Sequence, residues 1–327
     1  MNDEAMLKTT ERIVAEIRGL QPAIADLVAR IAKWLGESPE CAFTSTGDLA
    51  SSKWCASIYR EGLIKLGILL ENNLLFVETV GVLALTRYIF ELHVWLRVLD
   101  KDHEQCIEFF WQTCEKQKDH MKAYKAKLID EIAYFKTLHE RDTISEGVLS
   151  VFHNGPADIS ANDIAHSLRV SQDVIDLEAR RRFCLYGEDA KVNGYGFQAH
   201  LIETKVLPQV EEHINQIQLE EDEIKSQLGE SRLFAVIKTK NQKGKVIRKK
   251  WNWKERAEFV SMKDQYDFIY GYTSRLLHAT PVSFCTNQKN IELGEVRTFL
   301  EYIYVSLLDI ISLAEKICDI SNAEVAS

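Results

Sequence analysis

Apolar residues recur every three or four positions along nearly the whole chain, and very little interrupts them. Ile13, Ile17, Leu20, Ile24, Leu27, Ile31 and Leu35 set the pattern at the start, which is the spacing of one buried face on an α-helix. Only 15 Gly and 5 Pro occur among 327 residues, too little punctuation for the many turns of an all-β or α/β protein. An all-α multi-helix bundle is therefore predicted. Helices are expected at about 13–35 (with Pro22 as a kink or break), 52–70, 74–99, 102–139, 199–228, 254–279 and 291–320. The 74–99 helix is apolar on most sides and should be central. Residues 187–196, bounded by Gly187 and Gly196, read as a loop, and 233–250 reads as a small β-hairpin insertion. The connections are too short to force a split, so one all-helical domain over 1–327 is expected, with a variable middle at about 140–250.

Charge and composition exclude several classes. The net charge is -9 and charged residues make up 27%, which argues against wholesale binding of nucleic acid or anionic lipid but leaves room for a local basic site. The most apolar run, 74–99, contains Glu78, Arg87, Glu91, His93 and Arg97, so no membrane span is expected. The seven cysteines are scattered with no Cys-x-x-Cys pair, which predicts reduced thiols and a cytoplasmic location rather than a zinc cage or disulfide framework. No Gly-rich phosphate loop, His-Glu-x-x-His or Gly-x-Ser-x-Gly is present, so no cofactor and no metal are called.

Two segments carry the candidate chemistry. Arg87 and Glu91 stand at i, i+4 within an apolar helix, where each charge needs a partner to offset its desolvation. They either tie the helix internally or present Arg87 to an anion. Near the other end, Tyr270, Ser274 and His278 recur at i, i+4 and i+8 ahead of Pro281, a phenol, a hydroxyl and an imidazole on one helical stripe. The helices carrying the two segments are expected to be core neighbours, with Arg87 and Glu91 facing the stripe.

The combination of Arg87-x3-Glu91 and Tyr270-x3-Ser274-x3-His278 resembles an uncharacterised bacterial all-helical domain family. That family is similar to the HEPN superfamily, the helical bundles of many prokaryotic RNase toxins and phage-defence proteins. The resemblance covers about 66–99 and 258–305. It implies a defence or toxin role and a metal-independent RNase acting on RNA, with a homodimer or a defence-system protein as partner. The implied catalytic set is Arg87, Glu91, Tyr270, Ser274 and His278. His278 would take the 2′-hydroxyl proton, Arg87 would stabilise the phosphate, Ser274 would orient the imidazole and Tyr270 would donate a hydrogen bond. HEPN nucleases carry Arg, four to six residues, then His. Arg87-x5-His93 has that spacing, with Tyr88 where a polar residue is usual; Arg97-x5-His103 has it too.

Other features allow other readings. From Lys238 to Arg256 there are nine basic residues and one acid, with Trp251 and Trp253 interleaved. Lys245, Arg248, Lys249, Lys250, Trp251 and Trp253 form a candidate nucleic-acid surface of cations and stacking rings. Alternatively the tryptophans anchor a solvated loop, or the loop docks on the acidic 211–223 helix. Residues 163–175 follow a helix-turn-helix pattern with Arg169 at the turn, ahead of Arg180, Arg181 and Arg182, which would make a DNA-binding regulator. A non-catalytic scaffold or sensor remains the bland alternative.

Overall fold

The first periodic run breaks where Pro22 permits. In the computed structural model, which describes residues 3–36, 51–74, 79–153, 161–240, 246–248, 251–277 and 291–325, α1 (Asp3–Gly19) ends at a turn on Leu20 and α2 (Gln21–Leu35) begins. Pro22 lies in the first turn of α2, where a missing N–H leaves no helical bond unmade. Gly36, at φ +88°, closes α2 in the left-handed conformation that glycine adopts without strain. There follow α3 (Ser51–Asn73), α4 (Thr79–Lys101), α5 (Gln105–His153), α6 (Ala161–Arg181), α7 (Gly187–Asn193) and α8 (Tyr195–Leu201). A π-helical turn (Ile202–Val206) leads into α9 (Leu207–Ile237), and the hairpin strands β1 (Lys238–Lys240) and β2 (Val246–Arg248) come next. The chain continues through α10 (Trp253–Phe259), α11 (Lys263–Gln265), a second π-helical turn (Tyr266–Tyr270), α12 (Gly271–Leu277) and the long α13 (Leu293–Val325). The expected hairpin is thus present, with Lys238 opposite Arg248, Thr239 opposite Ile247 and Lys240 opposite Val246.

The chain divides into two units, Met1–Phe110 with Lys225–Ser327, and Trp111–Ile224. In the first unit α4 is central, as its all-round apolar sequence predicts. Val82, Leu85, Ile89, Phe90, Val94, Leu96 and Leu99 are all buried, each contributing about 1.5–3 kcal/mol relative to exposure. α13 packs along α4, while α3 and the α10–α12 segment cover its other sides. α1 and α2 bury Ile13, Ile17, Ile24, Leu27 and Ile31 against α13 and α3, the face the periodicity marks.

The second unit holds a core of its own. Leu128, Ile132, Phe135 and Leu138 of α5 meet Ile175 and Ala179 of α6, Ala190 of α7, Tyr195 and Ala199 of α8, and Val210 of α9. That separate core is why the chain divides where the sequence reading expects one domain with a variable middle. Glu131 is fully buried and accepts the backbone N–H groups of Leu185 (2.8 Å) and Tyr186 (2.6 Å), holding the turn between α6 and α7. The 187–196 loop reading is corrected: Gly187–Asn193 is helix, because a glycine in a first turn costs little, and the break falls on Gly194 at φ +86°. The helix-turn-helix reading is corrected too. α6 runs unbroken from Ala161 to Arg181, since Arg169 is a good helix former and cannot supply a glycine's turn.

Candidate functional site

Arg87 and Tyr270 meet. The Arg87 Nη2–H donates to the Tyr270 hydroxyl at 3.1 Å across 183 residues of sequence, and the guanidinium carbon lies 4.6 Å from the phenol ring centre. The Arg87 Nε–H also donates to Glu91 Oε1 at 3.1 Å, the i, i+4 pair the spacing predicts. Their side chains are 24% and 28% exposed, so the pair sits at an edge of the apolar wall rather than inside it. Tyr270 ends the second π-helical turn. It stacks on Tyr266 at 4.9 Å and leans on Phe90 at 6.0 Å and Trp253 at 6.4 Å.

Ser274 lies half-buried in α12, one turn beyond Tyr270. His278 and Pro281 fall outside the described residues. The single helix expected at 254–279 is corrected: α10 stops at Phe259, and Ser261 takes φ +61°. The Met262 N–H then donates to the Ala257 carbonyl at 2.7 Å and the Ser261 N–H to the Glu258 carbonyl at 3.2 Å, a Schellman closure with serine in the place usually held by glycine. Tyr272, which the sequence reading passed over, donates to the Glu295 carboxylate and so ties α12 to α13. Burial and that carboxylate push its phenol up to about 12.

The two tryptophans are anchored. Trp251 meets Phe259 edge-on at 5.0 Å, and Trp253 meets Trp95 at 6.5 Å. Arg256 is only 6% exposed, and its guanidinium lies 4.2 Å from the Trp95 ring and 5.2 Å from that of Trp253. An Asn252–Glu255 capping box fixes the start of α10 and with it this stack. Of the other basic candidates, Arg248 has its backbone in β2 opposite Lys238, while Lys245, Lys249 and Lys250 lie outside the described residues.

The Arg-x5-His spacing does not bring Arg87 and His93 together. Six residues turn a helix to faces about 120° apart, and His93 instead lies 3% exposed on the side of α4 that meets α13. Its Nε2 accepts the Arg97 Nε–H at 2.9 Å, so the ring proton is on Nδ1, which has no partner among the described residues. The Arg97 Nη2–H reaches Asp309 of α13 at 3.3 Å. Burial, then Arg97, pushes the His93 imidazole down to about 4, against a smaller opposing pull from Asp309. This His93–Arg97–Asp309 cluster went unmarked in the sequence. The only local signal for it was an i, i+4 His–Arg pair in an apolar helix.

Among the described residues no group of three or more His, Cys, Asp or Glu is placed to hold a metal ion, and no helix is long and apolar enough to cross a membrane. Cys55, Cys106, Cys114 and Cys318 are buried and outside any disulfide. No protein-family model, curated protein or solved structure matches this chain.

Proposed function

We propose that the Arg87–Glu91–Tyr270 cluster, with Ser274 and His278, is the active site of a HEPN-like, metal-independent RNase of prokaryotic defence or toxin type. The observation that supports this reading is the Arg87–Tyr270 hydrogen bond of 3.1 Å. It joins the two segments carrying the resemblance at a position solvent can reach. In the proposed reaction His278 takes the 2′-hydroxyl proton of RNA, the 2′-oxygen attacks the adjacent phosphorus, and the bond to the 5′-oxygen breaks as that oxygen takes a proton from water, leaving a 2′,3′-cyclic phosphate. Arg87 neutralises the charge gathering on the phosphate. Glu91 holds the guanidinium in register. Arg87 uses only the acceptor side of the Tyr270 hydroxyl, so its hydrogen remains available to a phosphate oxygen.

The test is RNA cleavage in EDTA with the full chain. His278→Ala should abolish product while shifting thermal stability little, and Arg87→Ala should lower the rate about 100-fold or more. Varied RNA left intact by the purified protein, with or without an activating partner, ends the enzyme reading. A second reading is favoured by the Glu91 carboxylate already paired with Arg87: the cluster fixes helix packing in a scaffold or sensor. It predicts that Arg87→Ala blunts folding cooperativity and that no RNA product ever forms.

A further inference from the structure

We infer that a cleft between α4, the end of α10 and α13 binds a phosphate monoester. Arg97 and Lys101, one turn apart on α4, line it together with Lys316 of α13 and the carboxylates of Asp100 and Asp309. Three cations against two acids leave a net charge of +1.

Two of the cations are paired with the cleft's own carboxylates, and the third is held by uncharged groups. Arg97 is steered through Nε by the neutral, buried His93 and through Nη2 by Asp309, which leaves its Nη1 edge unbonded among the described residues. Lys316 reaches Asp100 at 3.2 Å. Lys101 meets no carboxylate among the described residues: its ammonium donates to the Phe259 carbonyl at 2.6 Å and lies 4.4 Å from the Phe259 ring centre. A carbonyl and a ring face aim an ammonium without neutralising it.

Ser261 is the independent sign. It holds φ +61°, where glycine would sit without strain, and it borders the cleft. Backbone strain of this kind is retained most often at sites where the strained residue is used. Ser261 and Ser312 also line the cleft, adding two hydroxyls to its guanidinium and two ammonium groups. That set of donors, approaching from several directions, fits a tetrahedral group with three terminal oxygens better than a planar carboxylate. Asp100 and Asp309 would repel a second anionic group placed directly beside the first, which favours a single terminal phosphate over a di- or triphosphate. The cleft shares no residue with the Arg87 cluster, so the inference stands apart from the RNase reading.

The experiment is calorimetric titration and thermal denaturation of the full chain with inorganic phosphate, AMP and adenosine. Two short DNA oligonucleotides, with and without a 5′-phosphate and lacking any 2′-hydroxyl to cleave, complete the series. Saturable binding of phosphate and AMP but not adenosine is expected. Tighter binding of the 5′-phosphorylated oligonucleotide would name a strand end as the source of the phosphate, and tighter binding of AMP a free nucleotide. Lys101→Ala and Lys316→Ala should each weaken AMP at least tenfold while the unliganded melting temperature barely moves. Ser261→Gly should raise that temperature and still weaken AMP several-fold. No saturation at millimolar phosphate or AMP, equal binding of adenosine, or unchanged affinity in Lys101→Ala would overturn the inference.

Discussion

His93 shows how one buried group sets a pH response. Its imidazole is pushed down to about 4 in the fold, against about 6.5 for an exposed histidine in the unfolded chain. Between those values the unfolded chain takes up a proton that the native state refuses. Stability contributed by neutral His93 is therefore complete above about pH 6.5, declines as pH falls toward 4, and levels off below it. The size is at most about 3 kcal/mol, and Arg97 and Asp309 are the charges that face the ring. Urea denaturation across pH 4–7 should show the slope in the parent protein, and His93→Gln should flatten it. Tyr270→Phe keeps the ring stacked on Tyr266 but removes the acceptor for Arg87. A loss of about 1 kcal/mol is expected by the same measurement. Arg87–Glu91 was legible from the sequence because two charges at i, i+4 in an apolar helix must find partners. Asp309 was not legible as a partner of Arg97, since 212 residues separate them and nothing local on either helix names the other.

At the scale of elements, stops written with their usual residues could be read. The α1–α2 break needed only Pro22, and the hairpin followed from a turn between two short β-prone runs. The stop after α10 escaped because serine occupies the left-handed position at 261. Replacing it with glycine should stabilise the chain by about 1 kcal/mol, read as a higher urea midpoint at unchanged slope. At the other end of α10, Asn252→Ala removes one half of the capping box and should cost about 1 kcal/mol. That variant should also loosen the Trp95–Trp253 contact, visible as a change in tryptophan fluorescence. The glycine-bounded 187–196 segment misled in the opposite direction, because the core contact of Ala190 outweighs the weak helix preference of Gly187.

Over the whole molecule, local periodicity reveals that each helix has a buried face but not which helices share a core. The middle unit therefore became visible only through the cluster around Phe135. Phe135→Ala should cost about 3–5 kcal/mol there. Hydrogen exchange should report lost protection in α6 to α8 while the amides of α4 keep theirs. The buried thiols offer a readout that needs no substitution at all. Cys55 and Cys106 belong to one unit and Cys114 to the other, and a shielded sulfur reacts with an alkylating reagent only when its surroundings open. Mass-tagged peptides from a timed iodoacetamide pulse would thus clock the breathing of each half of the native polypeptide separately.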